Sequence, residues 1–159
     1  MELRRARAEE LERVGEVTLA AYESFTTGHR DPYRARLRDA AGRHRDSELW
    51  VAVEDGAVLG SVSYCPPGSP WRELGQDHEG EFRMLAVAPV AQGRGVGAAL
   101  VRLCEERAAG HGATSMVLSS LPEMTAAHAL YGRLGYARLP GRDWDPVPGV
   151  HLVAFGRPL

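Results

Sequence analysis

The run from Glu81 to Ala98, Glu-Phe-Arg-Met-Leu-Ala-Val-Ala-Pro-Val-Ala-Gln-Gly-Arg-Gly-Val-Gly-Ala, constrains this chain more than any other segment. It reads as a strand entering a glycine-rich turn that opens into a helix. Alternating glycines cost conformational entropy and need a reason. A turn of this type presents a row of main-chain N–H groups, and the helix behind it adds the positive end of its dipole. Together they suit a phosphate-bearing ligand without help from a cationic side chain.

The rest of the composition narrows the class. At 159 residues the chain is expected to form one domain, 1–159. A formal charge of −2 argues against a nucleic-acid partner held by bulk attraction. Every basic residue other than histidine is Arg, and Lys, Ile and Asn are absent, which reads as the codon bias of a GC-rich bacterial genome. The N-terminus lacks a signal-peptide pattern and no apolar run is long enough to span a membrane. Only two cysteines are present, so a reducing cytoplasm is the expected setting. The six histidines are scattered without ligand spacing, so no metal is expected.

Periodicity supplies the element order. Leu3 to Arg7 suits a strand, and Glu9 to about Phe25 carries apolar residues at helical spacing. A second helix is expected from Pro32 to about Arg43. Leu49–Glu54 and Ala57–Tyr64 flank Asp55-Gly56, a hairpin signal. Cys65 to about Glu79 is a long loop, rich in Pro and Gly. The Glu81 strand follows, then a helix from Val96 to about Ala109. Thr114–Ser119 reads as a buried strand, Pro122–Leu134 as a helix, and Tyr136–Leu139 and Val150–Phe155 as closing strands around a turn-rich loop, 141–149. This β-α-α-β-β-β-α-β-α-β-β order predicts an α/β (α+β) fold: a mixed central sheet of six to seven strands with about four helices on both faces.

Three phosphate-binding patterns compete for the glycine turn. A P-loop needs Gly-Lys-Ser/Thr, and this chain has no Lys. A dinucleotide fingerprint fits Gly93, Gly95 and Ala98, but the acidic residue expected at the end of the next strand is missing from Thr114–Ser120. The third pattern, Gln/Arg-x-x-Gly-x-Gly/Ala, is met by Gln92, Gly93, Arg94, Gly95, Val96 and Gly97. With Leu85-Ala86-Val87-Ala88-Pro89 before it, the run resembles the acetyl-CoA motif of the GNAT family of N-acetyltransferases. Downstream, Ala126-Ala-His-Ala-Leu-Tyr131-Gly-Arg-Leu-Gly-Tyr136 resembles that family's Ala-x-x-Leu-Tyr-x-x-x-Gly-Phe/Tyr segment.

The resemblance implies acetyl transfer from acetyl-CoA to a primary amine of a small molecule, amino acid or peptide, by direct attack in a ternary complex. It implies that main-chain groups of Leu85, Ala86 and Val87 hold the pantetheine arm in a gap between two splayed strands. The pyrophosphate would rest on the N–H groups of Gln92 to Ala98. Arg94 either adds a cation there or is an ordinary exposed arginine. The Leu85 N–H is the expected oxyanion donor.

Strict alternation puts Glu81, Arg83, Leu85 and Val87 on one face, with Glu81 at the substrate end of the gap. The resemblance makes Glu81 the general base; the plainer alternative is a strand-end charge paired with an Arg. Tyr131 matches the general acid, or else is a core tyrosine. Met124 departs from the family's usual Asn seven residues before that tyrosine. The expected acceptor residues are Tyr22, Phe25, Tyr33, Trp71, His78 and Trp144. Asp143 and Asp145 beside Trp144 would suit a cationic amine, or else belong to an ordinary polar loop. No membrane or nucleic-acid partner is expected, and the chain is expected to be a monomer or homodimer. A non-catalytic acyl-CoA sensor and a nicotinamide-dependent enzyme stand as rival readings.

Overall fold

The computed structural model describes residues 1–159. The strands are Glu2–Arg5 (β1), Glu48–Glu54 (β2), Ala57–Cys65 (β3), Glu79–Val87 (β4), Ser115–Ser120 (β5), Ala137–Arg138 (β6), Trp144–Val147 (β7) and Val150–Pro158 (β8). The helices are Leu11–Tyr22 (α1), Tyr33–Arg38 (α2), Ala40–Asp46 (α3), Val96–Gly110 (α4) and Thr125–Arg133 (α5). The sheet runs β1-β2-β3-β4-β5-β8-β6, with β7 paired to β8. Every pairing is antiparallel except β4 with β5.

Helices cover both faces. An added Cβ on Gly60 would meet Val96 and Leu100 of α4, whereas the hydroxyl of its neighbour Ser61 lies 3.4 Å from that of Thr18 on α1. Successive strand residues point to opposite faces, so α1 and α4 lie on opposite sides. The main core joins Val14 and Val17 of α1, Leu100, Val101 and Cys104 of α4, and Val51, Val62, Phe82, Met116 and Leu118 of the sheet. No helix is long and apolar enough to cross a membrane.

Two expectations about elements need correction. The helix expected from Pro32 to Arg43 is two, because Asp39 leaves helical geometry (ψ 61°) and its carboxylate accepts the Gly42 N–H at 2.8 Å. A short acidic side chain thus ends one helix and caps the next. The loop expected over 141–149 holds β7, which pairs with β8 around Pro148 and Gly149. Pro146 hid it, yet an outermost strand tolerates proline, since one of its edges needs no ladder donor. These changes bring the totals to eight strands and five helices.

Candidate active site

The site begins where two strands part. β4 and β5 pair only at Glu79–Ser115, Gly80–Met116 and Glu81–Val117. Beyond Glu81 the two strands diverge and their facing edges are unpaired, leaving a cleft lined by main-chain groups. An unpaired strand edge accepts an extended ligand as an additional strand.

At the mouth of this cleft stands the glycine turn. Gly93 and Gly95 have φ of 77° and 79°, a region that side-chain-bearing residues avoid. The first intrahelical bond of α4 runs from Ala99 N–H to Gly95 O at 3.0 Å, so the N–H groups from Gly93 to Ala98 have no main-chain acceptor. Such a row at a helix start is an anion site. An added Cβ on Gly97 would stand 3.1 Å from Leu130 and 3.6 Å from Val87, so α4, α5 and β4 meet closely here. The Arg94 guanidinium pairs with Glu54 at 2.8 Å, on the exposed hairpin end.

A bulge in β4 decides which side chains face which way. Ser61 pairs with Ala86 and Ser63 with Arg83, so three steps on β4 oppose two on β3. Met84 absorbs the extra residue with φ 52°. Arg83 and Met84 consequently both point toward α1–α3: Arg83 reaches the Trp71 carbonyl at 3.1 Å, and Met84 packs with Leu19, Leu37 and Trp71. Leu85 and Val87 lie against Gly97 on the α4 side. The shared face expected for Glu81, Arg83, Leu85 and Val87 does not exist, because the bulge reverses the alternation after Arg83.

Glu81 is fully buried. Its Oε1 accepts N–H groups from Glu73, Leu74 and Gly75 at 3.0, 2.9 and 2.8 Å, and Oε2 shares the Glu73 donor at 3.1 Å. The carboxylate thereby fixes the segment between β3 and β4. Arg72 and Arg142 bind carbonyls of the same segment, and Arg142 also pairs with Glu79. The long loop is thus rigidly held.

Tyr131 stands in α5 with its ring packed among Phe82, Tyr136 and Phe155, at centroid distances of 6.0, 6.0 and 5.9 Å. Its hydroxyl has no protein partner, and burial pushes its acidity well away from that of a free phenol, so the proton is retained. Three residues earlier, His128 bonds Ser120 at 3.0 Å across the end of β5, and burial lowers its pKa. Met124 occupies the N-cap of α5 and supplies no side-chain cap.

Among the expected acceptor residues, Tyr22 and Trp144 reach the cleft from opposite sides. The Tyr22 hydroxyl donates to Leu85 O at 3.1 Å, and burial, then the nearby Tyr131 and Tyr33, raise its pKa. The Trp144 indole donates to Ser119 Oγ at 3.1 Å, on the diverging part of β5. Phe25 lies in a single 3-10 turn after α1, half-buried. Trp71 is a packing residue, buried with its indole N–H on Gly42 O at 3.2 Å. His78 is exposed, and its carbonyl binds Thr114 at the closed end of the β4–β5 junction, away from the cleft. Asp143 and Asp145 are already partnered, by Arg138 and His151.

Sequence reasoning missed Glu73. Its carboxylate is 19% exposed, pairs with Arg83 Nε at 2.8 Å, and has a raised pKa because burial outweighs the arginine. The only signal for it was the length of its loop.

A model of the acetyltransferase (GNAT) family matches residues 11–136. The mycothiol acetyltransferase of Cellulomonas flavigena is 35% identical over 80% of this chain, and the N-acetylaspartate synthetase of Homo sapiens is 33% identical over 65% of it. The chain spans only 39% and 32% of the lengths of those two proteins. An acetyltransferase of the same family from Staphylococcus aureus superposes with a TM-score of 0.78 at 13% identity, covering 99% of this chain and 98% of that one. The Salmonella typhimurium structure solved with acetyl-CoA gives 0.69 at 22% identity, covering 100% and 94%. At these identities the structural matches establish the fold.

Proposed function

The chain belongs to the GNAT family of acetyltransferases, and from that premise we propose that it moves the acetyl group of acetyl-CoA to a primary amine of a small molecule, amino acid or peptide. The observation that carries this reading is the divergence of β4 from β5 beyond Glu81, with unpaired N–H groups at its mouth and the Tyr131 phenol facing no protein acceptor. Pantetheine lies along Leu85, Ala86 and Val87, and the pyrophosphate rests on the N–H groups of Gln92 to Ala98. Arg94 remains with Glu54. No metal takes part.

Transfer needs two proton movements. An alkyl ammonium is only roughly one part in a few thousand neutral at pH 7. Glu73 accepts the amine proton: it is a carboxylate of raised pKa, partly exposed beside the bulge, and so better matched to the task than an ordinary surface acid. Glu81, which the family resemblance favoured for that role, positions Glu73 by holding its N–H. The amine nitrogen then attacks the thioester carbon, and the oxygen takes up negative charge against the Leu85 N–H. The C–S bond breaks, Tyr131 gives its proton to the departing sulfur, and the acylated nitrogen loses its second proton to water, leaving the neutral amide. Bulk water then restores the proton to Tyr131 and removes the one on Glu73.

The test is release of free thiol from acetyl-CoA over a panel of amines and peptides, with Glu73→Gln and Glu81→Gln beside the parent. Glu73→Gln is expected to lower kcat/KM about 10²-fold and to change the pH–rate profile. Glu81→Gln is expected to leave the shape of that profile intact. Acetyl-CoA binding without thiol release from any amine favours the sensor reading; stabilisation by NAD(P) and not by coenzyme A favours the nicotinamide reading.

A further inference from the structure

Next to the β4 bulge two guanidinium groups lie over one indole ring. The Arg36 guanidinium lies 4.6 Å from the Trp71 ring centroid and that of Arg83 lies 5.6 Å from it. Arg83 is locked by Glu73 on Nε and by Trp71 O on Nη1, which leaves Nη2 without an acceptor. Arg36 makes no side-chain hydrogen bond or ion pair at all and is exposed. Its main chain is nonetheless fixed. The buried Arg43 guanidinium binds Arg36 O and Leu37 O at 3.0 and 3.1 Å and thereby pins the end of α2 over the indole. Arg43 itself hydrogen-bonds only neutral acceptors, Thr18 Oγ1 and Met84 Sδ besides those carbonyls, with the Asp39 carboxylate as its opposing charge.

Unliganded guanidinium N–H groups match a carboxylate better than any other small acceptor. The third group at this place is Glu73, of opposite sign and assigned above to the amine. A cation-binding carboxylate beside anion-binding guanidinium edges is complementary to a zwitterion. We infer that the acceptor is an amino carboxylate: its ammonium group faces Glu73, and its carboxylate is bound by Arg36 and the free Nη2 of Arg83. This rests on the acetyltransferase reading and specifies its substrate class. Asp143 and Asp145, which suggested a purely cationic amine, are occupied by Arg138 and His151 and do not compete.

The experiment compares free amino acids with the corresponding amino amides, and with plain alkyl amines, by thiol release from acetyl-CoA. The amides keep the amine and side chain and lose only the negative charge. They are also the less basic amines, which biases the comparison against the inference. The parent is expected to show a kcat/KM at least tenfold higher for the acids. Arg36→Ala, a surface change, is expected to raise KM for the acids about tenfold and to leave amide turnover within twofold. Arg83→Met is expected to remove the remaining preference, with circular dichroism and melting temperature as the check that it folds. Equal or faster turnover of amides or alkyl amines by the parent overturns the inference and leaves the acetyltransferase reading standing. So does an acid-to-amide ratio that Arg36→Ala does not change. If acetyl-CoA raises the melting temperature but no amine of any class releases thiol, the acetyltransferase reading fails, and the inference falls with it.

Discussion

Gly75 donates its main-chain N–H to the Glu81 carboxylate at 2.8 Å, bridging the loop before β4 to the strand itself. Glu73 and Leu74 donate to the same carboxylate. A hydrogen bond to a charged group is worth about 1.5–3 kcal/mol, and an unmet buried donor costs a comparable amount. Glu81→Ala is therefore expected to destabilise the fold by about 3 kcal/mol. Hydrogen exchange should show the amides of residues 73–75 losing protection before those of the core strands. Unchanged protection there would show that the carboxylate does not hold the loop.

Tyr131→Phe keeps the ring among Phe82, Tyr136 and Phe155 and removes only the hydroxyl. The expected outcome is a fall in kcat of about 10²-fold, the usual contribution of one proton donor, with acetyl-CoA affinity within twofold. Steady-state kinetics with a calorimetric binding measurement separates the two quantities. A parental kcat would remove Tyr131 from the proton-donor role.

Gly95 caps α4 at φ 79°, with no atom near enough to touch an added Cβ. Gly95→Ala should therefore act through backbone strain alone, about 1–2 kcal/mol. Relief of that strain by a shift of the turn would displace the N–H row. The melting temperature should fall, and the Kd for coenzyme A should rise about tenfold. Pantetheine, which lacks the pyrophosphate, should bind parent and variant alike.

Met124→Asn introduces a capping side chain at the start of α5, where there is none. Asparagine at an N-cap is worth about 1 kcal/mol over a non-capping residue. Chemical denaturation is expected to show that gain with an unchanged slope. The resemblance to the family further predicts tighter coenzyme A binding, measurable by titration calorimetry.

Acid stability should depend on Glu10, which Arg4 binds through two hydrogen bonds of 2.9 and 2.5 Å. The Arg4 hydrogen bonds lower its pKa to about 2 from an ordinary value of 4.5. The folded state thus binds fewer protons than the unfolded state between those values, and stability rises with pH across that window. The contribution is complete above about 4.5 and is lost as pH falls through about 2. Glu10→Gln should flatten the melting temperature against pH in this interval and leave its slope near neutrality unchanged.

The glycine turn of the candidate site was legible because its determinants are contiguous. Gly93 and Gly95 specify the turn by their own conformational freedom, Gly97 allows the close approach of Leu130, and Val96 to Gly110 follow as the helix that the turn must open into. Tyr131 lies within one short helical segment. Local chemistry of this kind does not depend on how distant strands pair, so the sequence alone determined the strand–turn–helix, the order of most elements and the place of the unpaired N–H row. Tertiary structure decided the proposed acceptor half. The extra residue in β4 exists only relative to β3, so no inspection of β4 alone reveals that alternation reverses at Met84 and carries Glu81 away from the face of Leu85. Likewise Arg36, Trp71, Glu73 and Arg83 come from a helix, a loop and a strand, and meet only once the sheet has brought those segments together. Side-chain direction across a bulge and contacts between remote segments are properties of pairing and packing, and those were fixed by the fold.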